Sequence, residues 1–300
     1  MTGPMTPRLW GLLFALSIVW GGSFFFAAVA LRGFPPFIIV LGRVAIAAAA
    51  LAVACRAAGF ALPRGRQAWM ACAGMGLLNN ALPFTLIVVG QQYIPSGLAA
   101  VVNAATPVFA VLCAHFLTRD EKLTANRLAG ALTGMAGVAV LAGPATFVPG
   151  HGAELLGIGL CLCACLSYGL SGVWSRRVRR AGLSPLPAAA GQCASSALMM
   201  LPLVLLFDQP WALPAPPGDA VAALLGFGLF STALAYVLFY TILAGAGATN
   251  TMLVTLLVPV TALLLGSLVL GETLAARHFA GMAVIGLGLV VMDGRVLRAR

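Results

Sequence analysis

The sequence predicts an all-α polytopic membrane protein, with ten transmembrane helices in two inverted five-helix repeats. Three observations carry this: an apolar excess, a segregation of basic residues between alternate connections, and a set of residues that recurs in both halves of the 300-residue chain. Hydrophobic residues make up 61% and charged residues 8%, against roughly 25% charged in an average soluble protein. So few charges cannot cover a water-soluble fold of this size, and a large apolar area must face something other than water. At ~20 residues per span, ten spans leave only short connections and no room for a soluble catalytic domain.

Apolar runs between short breaks rich in Gly, Pro or charge place the spans in order. The first, near Leu9–Leu31, resembles a signal peptide, with Arg8 before it and Ala28-Val-Ala30 at its end. Its apolar run exceeds the ~7–15 residues of a signal h-region, so it is read as a helix. The second and third follow near Phe37–Cys55 and Gln67–Gln91, the fourth near Ser96–Leu117 and the fifth near Leu123–Leu141. The sixth to tenth lie near Leu155–Trp174, Leu183–Phe207, Val221–Ala244, Ala248–Leu270 and Phe279–Met292. The breaks at Gln91–Ile94 and Gly245–Gly247 hold the least polar sequence.

With ten spans, alternate connections share a side. One side holds Arg8, Arg56, Arg64, Arg66, Arg119, Lys122, Arg127, Arg176, Arg177, Arg179, Arg180, Arg295, Arg298 and Arg300, fourteen of the seventeen basic residues. The other holds Arg32 and Arg277, while Arg43 lies inside a span. Such a bias places both termini in the cytoplasm. The net charge of +10 is therefore a topology signal. No basic stretch interleaves with aromatics as a nucleic-acid surface would, so no nucleic-acid partner is expected. The seven cysteines lie within or at the ends of apolar runs, which argues against a disulfide framework. Of Cys161, Cys163 and Cys165, only the first and last fall on one helix face. Packing rather than metal binding is the expectation there.

The halves repeat. Pro107-Val-Phe-Ala-Val-Leu with Glu121, Leu123 and Gly130 returns as Pro259-Val-Thr-Ala-Leu-Leu with Glu272, Leu274 and Gly281, at an offset of 151 or 152 residues. Two repeats follow, 1–143 and 152–300. Five spans is an odd number, so the second must enter the membrane inverted. The loops agree: Cys55–Gln67 carries three arginines, whereas its counterpart Phe207–Val221 carries only Asp208 and Asp219.

Trp20-Gly-Gly-Ser23, the Leu31-Arg-Gly-Phe-Pro-Pro turn leading to Arg43, and Pro107 with Glu121 resemble the first half of EamA-type members of the drug/metabolite transporter superfamily. Ser231-Thr-Ala-Leu-Ala-Tyr236, Pro259, Gly271-Glu272 and the Gly281–Gly288 stretch resemble the second half. The resemblance spans nearly the whole chain. It implies ten helices in two inverted repeats, cytoplasmic termini and transport of amino acids or other small metabolites, often outward.

Transport needs a polar site near the bilayer midplane, and polar residues deep in apolar helices mark candidates. Asn79 and Asn80 lie midway along the third span, Asn103 and Thr106 in the fourth, and Asn250, Thr251 and Thr255 in the ninth. Asn103 and Thr255 each precede a mid-helix proline, Pro107 and Pro259, by four residues, so each has a carbonyl that the proline leaves without its usual donor. These are either cavity-lining positions or proline kinks with helix-to-helix hydrogen bonds. Trp20, Tyr168 and Tyr236 either stack on a substrate or pack. Trp174, beside the arginine run, reads as interfacial. Arg43 either steers an anion or snorkels outward to backbone carbonyls. Glu121 and Glu272 stand at span ends, where capping, or pairing with Lys122 or Arg277, is expected. Gly130-x-x-x-Gly134 fits close packing, within the fold or in a homodimer.

No Asp or Glu lies inside a predicted span, which disfavours carboxylate-driven proton antiport. The reading is an inner-membrane exporter of amino acids or related metabolites, without cofactor or metal, whose partners are a small-molecule substrate and the lipid bilayer. The alternative is a membrane-embedded enzyme acting on a lipid-linked substrate, but no cluster of His, Asp and Glu supplies its chemistry.

Overall fold

A computed structural model describes residues 6–119, 124–143, 152–251, 253–273 and 275–293. All regular elements among the described residues are helical. They are α1 (Pro7–Ala30), α2 (Pro36–Ala57), α3 (Arg66–Met75), α4 (Leu82–Gly90), α5 (Ser96–Asn103), α6 (Thr106–Leu117) and α7 (Ala125–Ala142), then α8 (Gly152–Arg180), α9 (Pro185–Leu203), α10 (Gly218–Gly228), α11 (Ala235–Thr251), α12 (Val254–Leu270) and α13 (Ala276–Asp293). Glu121, Lys122, Leu123, Leu274, Arg295, Arg298 and Arg300, invoked above, lie outside the described residues, as does the side chain of Arg127.

Seven helical segments are long and apolar enough to cross a membrane: Pro7–Ala30, Pro36–Ala57, Arg66–Gly90, Ser96–Leu117, Gly152–Arg180, Pro185–Asp208 and Gly218–Gly247. Leu128–Val140 and Leu257–Leu270 are shorter apolar helices. The fifth, ninth and tenth expected spans thus correspond to α7, α12 and α13. Many large apolar side chains point outward, Phe116 at 77% and Leu268 at 80% exposure among them. Such a surface suits lipid rather than water.

Several rods are interrupted, each for a local reason. α3 and α4 join through a π-turn over Gly76–Ala81. Pro83, just inside α4, has no N–H to give the Asn79 carbonyl, and the ladder widens there. Ser196 and Ser167 donate to the carbonyls of Gly76 and Leu78 at 2.9 and 2.7 Å. A second π-turn, Leu229–Leu234, joins α10 to α11. A third, Val204–Asp208, ends α9 just after Pro202. α5 and α6 part at Ala104–Ala105, ahead of Pro107, whereas α12 runs through Pro259 unbroken. The break near 245 is set by Gly247, whose φ of 77° and ψ of 168° belong to a region open essentially to glycine alone.

α2 packs on α9, α1 on α12, α6 on α8 and α7 on α13. The last pair is very close: a Cβ at Gly288 would sit 2.6 Å from the Gly134 nitrogen and 2.7 Å from the Gly130 carbonyl oxygen. The Gly130-x-x-x-Gly134 motif is therefore used within the fold. Cys161 and Cys165 are buried and Cys163 exposed, as their spacing requires.

Polar contacts cluster at helix ends. The carboxylate of Glu272, after α12, accepts from the first amides of α5, Ser96 at 2.7 Å and Gly97 at 3.0 Å. It caps a helix of the other half, and Arg277 pairs instead with Glu154 at 3.2 Å. Asp208 likewise accepts from the Ile38 amide at 2.7 Å, near the start of α2.

Candidate functional site

The π-turns at Gly76–Ala81 and Leu229–Leu234 carry polar residues to the junction of α2, α8, α9 and α11. Asn79 and Asn80 belong to the first turn, Ser231 and Thr232 to the second, and Tyr236 follows one turn later on α11. The Tyr236 hydroxyl donates to Asn80 Oδ1 at 2.9 Å and accepts from Asn79 Nδ2 at 3.1 Å and from Gln192 Nε2. Its one hydrogen and two lone pairs are thereby fully used. Asn80 Nδ2 reaches Cys193 Sγ at 3.5 Å, and Ser171 Oγ lies 3.1 Å from Asn79 Oδ1. Asn80 is wholly buried and Gln192 nearly so, and unpaired amides here would each carry a heavy desolvation penalty.

Beside this network lies Arg43, 7% exposed. It does not snorkel. Its Nε donates to Thr232 Oγ1 at 2.8 Å, and its guanidinium carbon sits 3.4 Å from the Phe84 ring centroid and 4.1 Å from that of Phe227. Aromatic faces attract a cation electrostatically. Thr232 and Tyr236 are four residues apart on one segment, as are Asn80 and Phe84 on another, so the arginine sandwich and the amide network adjoin. A cation inside a membrane span is costly, up to about 2.5–3.5 kcal/mol at its centre on insertion scales, and no carboxylate among the described residues pairs with this one.

Aromatic rings flank the junction. Tyr236 stacks on Tyr240 with centroids 6.1 Å apart and planes at 15°, and Trp20 meets Phe239 at 5.6 Å. Tyr168 packs against both of the largest apolar clusters.

Of the residues singled out from sequence, Asn79, Asn80 and Tyr236 come together, with Arg43 alongside. Asn103, Thr251 and Thr255 do not join them. The Asn103 carbonyl, freed by Pro107, accepts from Thr106 Oγ1 at 2.7 Å and from Cys165 Sγ at 3.7 Å. Asn250 and Thr251 bond to carbonyls one turn back in their own helix, at 3.1 and 2.8 Å. Thr255 is half-buried on α12. Sequence reasoning missed Gln192, Ser171, Cys193, Phe84, Phe227 and Thr232. Gln192 carried a usable signal, since it is the one amide within the seventh predicted span.

A separate crevice of about 700 Å³ opens between the start of α3 and the end of α8, lined by Arg66, Trp174, Arg177 and Arg180 among others. Trp174 is more than an interfacial ring: its Nε1 donates to the Ala71 carbonyl at 3.1 Å, and Arg177 lies 3.7 Å over it.

Comparison with known proteins places this arrangement in a family. The model of the "EamA-like transporter family" matches twice, over residues 9–143 and 155–292. The "uncharacterized inner membrane transporter YedA" of Escherichia coli (strain K12) is 29% identical over 95% of this chain and 90% of its own. The "probable terminal-alkyne amino-acid exporter" of Streptantibioticus cattleyicolor is 25% identical over 99% of this chain and 96% of its own. A solved crystal structure superposes with a TM-score of 0.69 at 23% identity, covering 98% of this chain and 99% of the other, a likeness of fold. With a twice-matched family model, named transporter relatives and a series of apolar helices, the chain belongs to the EamA-like transporter family and is a multi-pass membrane transporter.

Proposed function

We propose that this protein exports amino acids or related small metabolites across the inner membrane by alternating access between two inverted five-helix repeats, 1–143 and 152–300. One observation carries the reading: the buried polar junction is built twice. Arg43 meets Thr232 and Asn80 meets Cys193, and about 150 residues relate Arg43 to Cys193 and Asn80 to Thr232. The π-turns occupy equivalent places, and the α1–α12 and α6–α8 contacts exchange under the same relation. Sites at repeat interfaces, formed by interrupted helices, are where alternating-access transporters bind their substrates.

On this reading the helices α1 to α13 make up ten spans and both termini are cytoplasmic. Arg43, Asn79, Asn80, Gln192 and Tyr236 form the centre of the substrate site, with Tyr168 and Trp20 as its aromatic walls. Asn103 with Pro107, and Thr251 and Thr255 with Pro259, form the pivots of the fourth and ninth spans. An amino-acid cargo is supported by the amide-rich, aromatic-walled junction and by the name of the Streptantibioticus relative. No relative reported above is named for chemistry on a lipid-linked substrate.

The test is downhill flux of labelled amino acids from proteoliposomes holding the purified full chain. Flux of at least one member, abolished when the polar junction is mutated, is expected. Correctly folded protein that moves nothing across the full set of common amino acids would falsify the reading. Reporter fusions at each terminus check the orientation, both reading as cytoplasmic.

A further inference from the structure

The cation at the centre of the junction lacks a counter-ion. Arg43 presents five N–H donors in a planar fork, yet among the described residues only Nε has a hydrogen-bond acceptor, Thr232 Oγ1 at 2.8 Å. The two terminal nitrogens have no such partner, and the residue carrying them is only 7% exposed. Phe84 and Phe227 hold the guanidinium between their rings, which fixes its plane and leaves its edge as the direction for an incoming partner. The described acids are elsewhere: Asp208 and Glu272 cap helices, and Asp219 and Glu154 pair with Arg32 and Arg277.

We infer that Arg43 binds the carboxylate of the transported solute through the free edge of its guanidinium, and so selects small carboxylate-bearing substrates. The inference rests on the transporter reading above and sharpens it to one recognition element. A guanidinium receives a carboxylate through two parallel N–H···O bonds. Burial makes the pair strong, because water no longer competes for either charge. Thr232 and the Phe84–Phe227 sandwich orient the fork. Asn79, Asn80 and Gln192, whose amides keep hydrogen-bonding capacity that Tyr236 does not use, then lie beside the bound carboxylate for the rest of the solute. The carboxylate supplies the missing negative charge, so the loaded site is electrically balanced and the empty one is not. No such pairing exists for an amine or an amide.

The experiment compares matched solutes on the wild-type full chain. The twenty common amino acids and their carboxamides are tested side by side for counterflow in proteoliposomes and for the rise in unfolding temperature they cause in detergent. A preference for acid over amide of at least tenfold is expected. Arg43→Gln brings that ratio near one. Arg43→Lys keeps the charge without the fork and lands between. Thr232→Val, which retains the charged fork, preserves the preference while weakening binding. If Arg43→Gln does not fold, the wild-type ratio and the lysine variant decide. Acids and amides moved equally well by wild type would overturn the inference while leaving the transporter reading intact, as would an Arg43→Gln protein that still prefers acids. Should neither series bind or move, the reading beneath it falls, and the inference with it.

Discussion

Tyr236 donates its phenolic hydrogen to Asn80 Oδ1 at 2.9 Å, so one hydroxyl ties the π-turn of the third predicted span to the helix that follows the π-turn of the eighth. Removing it strands three amide groups, two of them buried. Tyr236→Phe is expected to lower stability by about 1–3 kcal/mol, the cost of unsatisfied buried groups. It should also cut flux at least tenfold. Thermal unfolding and proteoliposome counterflow measure the two effects separately, and a variant at wild-type levels in both would remove Tyr236 from its role as hub.

Glu272 holds two backbone amides of α5. Charge-assisted hydrogen bonds to amides are roughly twice as strong as neutral ones. Glu272→Gln keeps one acceptor oxygen and loses the charge, so a stability loss of about 1–2 kcal/mol is expected. Glu272→Ala should be worse. Chemical unfolding in mild detergent gives the order; an alanine variant as stable as wild type would contradict it.

Gly288 and Gly286 make a matched pair on α13. A methyl at Gly288 meets the backbone of α7 at 2.6 Å, whereas one at Gly286 meets nothing within 4 Å. Backbone cannot swing aside as a side chain can. Gly288→Ala is therefore expected to lose most of its folded yield, and Gly286→Ala to match or exceed wild type through better helix propensity. Size-exclusion profiles of the two variants provide the comparison.

Pro107 parts α5 from α6. Restoring an N–H there with Pro107→Ala offers the Asn103 carbonyl a backbone donor in place of the Thr106 hydroxyl it now uses, and it should straighten the rod. Flux is expected to fall several-fold with stability unchanged or raised, which makes the variant slow rather than broken. Asn103→Ala, which removes a side chain 3.9 Å from Cys165 Sγ, should alter flux while the protein still folds. Normal flux in both folded variants across a broad panel would exclude the fourth span as a pivot.

Apolar run lengths made most helices legible from sequence, and Asn79, Asn80 and Tyr236 stood out because amides and phenols are rare in such runs. What the sequence hid was rotational phase. A π-turn inserts residues into the helical period, so a wheel drawn through Gly76–Ala81 or Leu229–Leu234 assigns the following residues to the wrong face. That is why Phe84, after the first turn, and Thr232, within the second, gave no sign of surrounding Arg43. Glu272 shows a second limit: its place at a span end suggested capping, but its target lies 176 residues away, at Ser96. The Asn103 carbonyl, freed by Pro107, shows a third. Thr106, three residues beyond Asn103, supplies a hydroxyl that satisfies that carbonyl locally.

The glycine seam between α7 and α13 has a mechanical consequence. Where backbone touches backbone, there are no long side chains whose rotamers can re-sort to accommodate sliding. The two helices are free to twist slightly about their line of contact, but a shift along it would drive the next Cβ into a peptide group. The seam resists sliding, and the helices it braces are its own neighbours, α6 beside α7 and α5 beside α13.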